Sequence, residues 1–259
     1  MAGLFPPTEY PQVLVGLARP DDAAAYDLGD GRALIATTDF LTPVVDDPFL
    51  FGAIAAANAM SDVYAMGGEV VMALNLAVFP ECLADDVVGQ MLQGGAAKVR
   101  EAGGALVGGH TIVGPEPVFG LAVVGIAPKN RLWTKGGARP GDRLLLSKPL
   151  GLGLVATALK ADLAAPEDVH EATSWMARLN RQAAHLARDA TVHGATDITG
   201  FSLLGHGWEI AHHSGVGLRL HLDSLPFVSG SKRYAYDWLF PAGANTNEAA
   251  YVEHVVFPR

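Results

Sequence analysis

The sequence is poor in cysteine, in charged residues and in uninterrupted apolar runs. Its single cysteine, Cys82, excludes an internal disulfide and a multi-thiolate metal site, and we expect a cytoplasmic protein because such usage is typical of a reducing compartment. Only 17% of the residues are charged, the net charge is −9 and Lys and Arg form no run, so nucleic acid is not an expected partner. Polar residues and glycines interrupt the most apolar stretch, 51–80, and the first residues have no basic region followed by an apolar run. We therefore predict neither a membrane span nor a secretory signal.

Half of the 259 residues are apolar, which is enough for a large core in one domain or in two smaller ones. Short apolar runs bounded by turn residues predict strands at 33–38, 70–78, 105–108 and 118–126, and helical periodicity predicts helices at 48–66 and 85–101. The segment 129–142, rich in Lys, Arg, Gly and Pro, indicates a domain boundary. Beyond it we predict strands at 143–147 and 216–222, a strand-like turn at 195–198, and helices at 155–163, at 170–190 and in a segment ending at residue 210. This order predicts a mixed α/β (α+β) protein with domains at residues 1–128 and 140–259.

Four aspartates lie in small, apolar surroundings where a solvated surface carboxylate is not expected: Asp22, Asp39, Asp62 and Asp197. A buried carboxylate must be paired, hydrogen-bonded or bound to a cation, because burying an unpaired charge costs several kcal/mol. Carboxylate oxygens suit Mg²⁺, through which an acidic site can approach a polyphosphate. The alternative for each aspartate alone is a helix cap or a turn former. Four such positions together favour the cation site.

Three other features have weaker chemical signals. Gly108 and Gly109, before His110 and Thr111, follow a predicted strand, and backbone without side chains can present N–H groups to a phosphate, although a tight turn is the alternative. No Walker sequence accompanies them. His206 lies at the start of a predicted helix and favours a structural role over a catalytic one. Cys82 has no cationic neighbour in sequence to favour a thiolate, so we expect it to be inert.

Several long motifs follow one another in an order that resembles the selenophosphate synthetase (selenide, water dikinase) family. The resemblance extends from about residue 13 to about residue 245, and relatives of the same fold share only fragments of it. The motifs are TTDFLTPVVDDP at 37–48, NAMSDVYAMGG at 58–68, GGHT at 108–111, PEPVFGLAV at 115–123 and TDITGFSLLGH at 196–206.

The resemblance implies a two-domain fold like that of aminoimidazole ribonucleotide synthetase, with a homodimer formed through the N-terminal sheet and ATP held between the domains. It implies a reaction that converts selenide, ATP and water to selenophosphate, AMP and orthophosphate. By motif position it implies three Mg²⁺ ligands, Asp22, Asp62 and Asp197. The residues that it implies for holding ATP are Asp21, Asp39, Asp62, Gly109, His110 and Thr111, the last three in position to reach the partner's site.

The chain departs from the family pattern in two places. The family has a reactive Cys or selenocysteine followed by a Lys near its N-terminus, whereas no cysteine precedes Asp22 here and the first lysine is Lys98. The family also continues beyond the position of Arg259. We therefore assign no catalytic residue and expect this chain to be a fragment or a shortened relative with impaired activity. The alternatives are another ATP-dependent kinase or synthetase of the same fold, or a non-catalytic dimeric nucleotide-binding relative.

Overall fold

The computed structural model describes residues 4–257, which form two compact units. The first unit contains residues up to Thr134 together with Ala177–Val192, and the second contains Lys135–Met176 and the residues from His193 onward. The outer ends of the predicted domains, residues 1–3 and 258–259, lie outside the described residues. Within 4–257 no helix is both long and apolar enough to cross a membrane.

The first unit is built on a six-stranded sheet with the order β1-β2-β3-β6-β4-β5. Only β4 and β5 pair in parallel, and every other neighbouring pair is antiparallel. The edge strand β5 is exposed along nearly its whole length. The strands are β1 (Val13–Val15), β2 (Ala24–Asp27), β3 (Arg32–Leu41), β4 (Glu69–Phe79), β5 (Ala105–Val113) and β6 (Val118–Pro128).

Helix α1 (Pro48–Ala65) is the central element on one face of this sheet. It begins because the Asp47 carboxylate accepts the Leu50 N–H at 2.7 Å and because Pro48 fixes a helical φ at the first position. It ends at Ala65, and Gly67, whose φ of +75° belongs to the left-handed region, turns the chain away from the helix. Twelve of its residues are buried, most of them alanine or other small residues, so the helix lies close to both the sheet and its neighbour.

That neighbour, α2 (Asp85–Glu101), approaches α1 at two glycines. A Cβ at Gly52 would lie 1.9 Å from the Met91 carbonyl oxygen, and one at Gly94 would lie 2.0 Å from the Phe49 carbonyl oxygen. The close crossing therefore requires glycine on both helices. α1 and α2 cover one face of the sheet.

The opposite face presents apolar side chains to solvent. Phe40 is 59% exposed, Val107 is 57% exposed and Ile112 is 53% exposed. The pairing of β5 with β4 shifts register between Ala73 and Asn75, and this irregularity keeps Val107 and Ile112 on one side of the sheet, together with Met72 and Leu74 of β4. We call this surface the open face, and define it by Phe40, Met72, Leu74, Val107 and Ile112.

Helix α5 (Arg181–Ala187) lies in the stretch Ala177–Val192, which belongs to the first unit although the segments before and after this stretch belong to the second. Glu69 anchors it: the Arg188 guanidinium donates to the Glu69 carboxylate at 2.5 Å, His185 also contacts that carboxylate, and Arg181 lies 3.5 Å away. Burial raises the pKa of Glu69. Hydrogen bonding and positive charge from Arg188 and His185 lower the same pKa by a larger amount, so the net shift is downward. The Asn180 amide adds a hydrogen bond to Ser61 on α1 at 2.8 Å.

The second unit is mainly helical. Its small core contains Val155, Ala158, Ala172, Val228 and Tyr234. Its helices are α3 (Leu152–Lys160), α4 (Pro166–Ala177), α6 (Ser202–Ser214), α7 (Ser231–Tyr236) and α8 (Gly243–Tyr251).

The predicted elements of the first unit are confirmed, and those of the second are corrected in part. Residues 143–147 and 216–222 are not strands, and 195–198 is irregular, because these segments have no paired strand among residues 4–257 to supply a hydrogen-bond ladder. The predicted helix 170–190 is two helices, α4 and α5, and the helix predicted at 155–163 begins and ends three residues earlier. The turn considered for Gly108–Thr111 is wrong, because these residues continue β5.

Candidate functional site

Two hydrogen bonds join β3 to α1 and position two of the four predicted aspartates. The Thr37 hydroxyl on β3 donates to the Asp62 carboxylate on α1. In the opposite direction, the Asn58 amide on α1 donates to the Asp39 carboxylate on β3. Both carboxylates are only partly exposed, and each has a neutral donor that holds its orientation without cancelling its charge.

The spacing of these four residues explains why they meet. Thr37 and Asp39 are two apart on a strand and share one face of the sheet, and Asn58 and Asp62 are four apart on a helix and share one helix face. The two faces oppose each other where α1 crosses β3. Sequence reasoning missed Thr37 and Asn58 as site residues, although both lie inside the quoted motifs and this spacing was the available signal.

Asp21 and Asp22 lie immediately before β2, beside the end of β3. Ala24 pairs with Ala36, so the antiparallel chain direction places the residues before Ala24 near the end of β3, which carries Asp39. The Asp21 carboxylate accepts the Asp22 backbone N–H at 2.9 Å. The first unit thus brings the predicted residues Asp21, Asp22, Asp39 and Asp62 to one region.

Gly109, His110 and Thr111 lie at the far edge of the same sheet. The register places Asp39 opposite Leu121, Leu121 opposite Asn75, and Asn75 opposite Gly109. Three strand spacings therefore separate Asp39 from Gly109, which is about 14 Å. A Cβ at Gly109 would lie 2.4 Å from the Asn75 carbonyl oxygen, so glycine is required for the approach of β5 to β4. His110 and Thr111 are exposed.

Asp197 belongs to the second unit, in the irregular segment before α6. Its Oδ2 atom is buried and has no hydrogen-bond partner among the described residues. Such an oxygen fits a cation ligand, because a buried carboxylate without a partner is costly. Within residues 4–257, however, no group of three or more His, Cys, Asp or Glu side chains is placed to hold a metal ion.

His206 and Cys82 complete the predicted positions. His206 is buried on α6, where its Nε2 accepts the Thr199 backbone N–H at 3.1 Å. Burial lowers the pKa of His206, and the nearby Glu209 and Asp197 carboxylates only partly oppose this effect. Cys82 is exposed in the turn between β4 and α2.

Comparison with known proteins defines the class. Residues 20–127 match the AIR synthase related protein N-terminal domain, and residues 139–244 match the C-terminal domain of the same class. The structure is similar to thiamine monophosphate kinase from Aquifex aeolicus, with a TM-score of 0.72 at 22% identity over 89% of this chain and 78% of that one. It is also similar to the hydrogenase maturation protein HypE in complex with ATP, with a TM-score of 0.70 at 20% identity over 90% and 75%. The protein therefore has the two-domain fold of the AIR synthase-related proteins.

Closer relatives define the family within that class. The chain is 49% identical over 252 residues to a selenide, water dikinase of Geobacter metallireducens, covering 97% of this chain and 74% of the relative. It is 46% identical over 237 residues to selenide, water dikinase 2 of Peptoclostridium acidaminophilum, covering 92% and 68%. This chain belongs to the selenide, water dikinase family.

Proposed function

We propose that this protein acts in selenophosphate synthesis, in which selenide, ATP and water give selenophosphate, AMP and orthophosphate. The observation that carries the proposal is the 49% identity to a selenide, water dikinase over 97% of the chain. The carboxylates gathered at the β3–α1 contact support it, because a reaction on polyphosphate needs oxygen ligands for a divalent cation.

The proposed Mg²⁺ ligands are Asp22 and Asp62 in the first unit and Asp197 in the second. Their donor chemistry fits Mg²⁺, and the buried Oδ2 of Asp197, which has no hydrogen-bond partner in the described part of the chain, supports the assignment. Because no three-ligand cluster is formed within residues 4–257, we expect phosphate oxygens and water to complete the coordination. When bound, Mg²⁺ would offset phosphate charge and hold the phosphates in position for transfer.

The remaining residues are proposed to position the nucleotide. Thr37 and Asn58 hold the Asp62 and Asp39 carboxylates in fixed orientations, so these groups need little reorganisation when the nucleotide binds. Asp21 lies beside Asp22 and is a proposed nucleotide contact.

We propose a homodimer formed through the open face. An apolar sheet surface facing water is a typical interaction site, and an exposed edge strand is a typical pairing site. Gly109, His110 and Thr111 lie about 14 Å across the sheet from Asp39. Because this distance sets them apart from the Asp39 region of their own chain, we propose that they contact the nucleotide of the partner.

The net charge of −9 and the single cysteine support a cytoplasmic protein that binds no nucleic acid, and we propose no membrane association.

The test is anaerobic phosphorus NMR of the protein with Mg-ATP and selenide, joined to calorimetric titration of ATP in Mg²⁺ and in EDTA. Joint formation of selenophosphate and AMP supports the proposal. Magnesium-dependent ATP binding without AMP formation would favour a non-catalytic nucleotide-binding relative, and equal heats in Mg²⁺ and EDTA would contradict the proposed metal site.

A further inference from the structure

A chain of polar contacts in the second unit ends at the segment that carries Asp197. The Lys135 ammonium donates to Glu209 Oε2 at 2.9 Å, and that oxygen lies 3.2 Å from Nδ1 of His206. On the other side of the ring, Nε2 accepts the backbone N–H of Thr199, two residues after Asp197, at 3.1 Å. Three side chains are thus arranged in series behind one irregular backbone segment.

The contacts define which nitrogen of His206 carries the proton. A backbone N–H can only donate, so Nε2 must be the acceptor and must be unprotonated. The proton therefore lies on Nδ1 and is donated to the Glu209 carboxylate, whose orientation Lys135 fixes. The neutral ring suits its burial, since only 4% of His206 is exposed. This arrangement of an imidazole between a carboxylate and a backbone group leaves His206 little freedom to turn.

The Asp197 segment has no regular secondary structure of its own, so individual contacts such as the Thr199 N–H to His206 hydrogen bond position it. Residues 191–200 lie outside the helices and strands, so no hydrogen-bond ladder fixes their backbone. The buried Oδ2 of Asp197 has no hydrogen-bond partner among residues 4–257. An oxygen left without a donor in a held segment is in position to bind a cation.

We propose that His206 is a positioning residue that holds the Thr196–Thr199 segment through the Thr199 N–H, and so presents Asp197 to the divalent cation. Glu209 and Lys135 maintain its tautomer. His206 does not touch the cation or the nucleotide; it acts through Asp197. The inference rests on the proposed Mg-nucleotide function and names a support that this function requires.

The test compares two replacements of His206 that differ in one property. His206→Gln keeps an acceptor near the position of Nε2, whereas His206→Phe keeps an aromatic ring beside Phe201, whose centroid lies 5.5 Å away, and has no acceptor. Mn²⁺ serves as the probe, and its affinity for the full chain with ATP is measured by electron paramagnetic resonance. Thermal melting in EDTA reports folding. His213→Gln, on the exposed side of the same helix, is the control.

We expect His206→Phe to weaken Mn²⁺ binding by about tenfold or more, as for other groups that orient a metal ligand, and we expect His206→Gln to recover most of that loss. Glu209→Gln, which keeps side-chain volume, should weaken binding by a smaller factor and gives a second readout if His206→Phe does not fold. In the Asp197→Asn background, His206→Phe should cause no further loss, because it acts through Asp197.

Each contrary result has a distinct meaning. Normal Mn²⁺ affinity in His206→Phe, alongside a clear loss in Asp197→Asn, would overturn the positioning role and leave the proposed function intact. An equal loss from His206→Phe with and without Asp197 would show that His206 acts elsewhere, which also overturns it. Normal affinity in Asp197→Asn would overturn the metal assignment itself, and the positioning role with it.

Discussion

The hydroxyl of Thr37 on β3 donates a hydrogen bond to the carboxylate of Asp62 on α1, 25 residues further along the chain. A matching bond in the opposite direction joins Asn58 to Asp39. The helix and the strand therefore fix each other's acidic side chains with neutral donors. Because the donors are neutral, replacing a donor changes the orientation of a carboxylate and leaves its charge in place, whereas replacing the aspartate removes the charge.

We predict that Asp62→Asn weakens Mg-ATP binding by more than about tenfold, because it removes a charged ligand. Folding should be unchanged or improved in EDTA, because fewer like charges remain near one another without metal. Calorimetry and thermal melting measure the two effects. A large drop in melting temperature in EDTA would instead identify Asp62 as a structural capping or pairing residue.

Thr37→Val should weaken Mg-ATP binding by about three- to tenfold, less than Asp62→Asn, because the charge stays and only the orienting hydrogen bond is lost. The control is Thr38→Val, the next residue on β3, whose side chain points to the opposite side of the sheet. The same titration applies. Equal losses in the two threonine variants would contradict an orienting role for the Thr37 hydroxyl.

Alanine substitutions at two glycines of α2, one at the α1–α2 crossing and one away from it, should have opposite effects on the free energy of unfolding. Gly94→Ala places a methyl group 2.0 Å from the Phe49 carbonyl oxygen, and we expect a loss of about 2 kcal/mol or more in the free energy of unfolding. Gly89→Ala meets no atom within 4 Å and should raise that free energy by about 0.5–1 kcal/mol through helix propensity. Denaturant unfolding measures both. A neutral Gly94→Ala would show that the helices can separate at no cost.

The contacts of the Glu69 carboxylate with Arg188 and His185 should contribute to the stability of the fold in a pH-dependent way. Its folded-state pKa lies below the ordinary value of 4.5, so the contribution is present above that value and is lost as the pH falls through the depressed folded-state pKa. Glu69→Gln should lower the free energy of unfolding by about 1 kcal/mol near neutral pH, since the carboxylate is partly solvent-screened, and the difference from wild type should vanish at low pH.

The measurement is denaturant unfolding of both proteins from about pH 7 to about pH 3. Glu101→Gln is the matched control, because Glu101 is more exposed and pairs only with Lys98 one turn earlier on α2 among the described contacts. A difference between wild type and Glu69→Gln that persists or grows toward low pH would contradict the depressed pKa.

We predict that the protein is a dimer whose contact is the open face. Leu74→Asp places a charge on the sheet surface and should shift the protein from dimer to monomer in sedimentation velocity, because a desolvated carboxylate without a partner opposes association. Leu163→Asp changes an exposed leucine of the second unit and should remain dimeric. A Leu74→Asp protein that stays dimeric would place the dimer contact elsewhere.

Local sequence determined most of the first unit. The cap at Asp47, the proline after it and the glycine pair at 67–68 define α1 because capping and left-handed backbone act within a few residues. The strand and helix periodicities that predicted β3, β4, β6 and α2 are equally local. The four aspartates could also be singled out, because a carboxylate among small apolar residues is conspicuous in any window.

Tertiary structure decided the rest, because it depends on partners distant in the chain. Residues 143–147 and 216–222 have strand-like composition, but a strand needs a neighbour to complete its hydrogen bonds, and residues 4–257 supply none. Gly109 continues β5 instead of forming a turn because it pairs with Asn75 on β4. Likewise, Glu69 binds Arg188, 119 residues away, and so places α5 in the first unit. No local pattern encodes such a pair, since its energy exists only once the two segments meet.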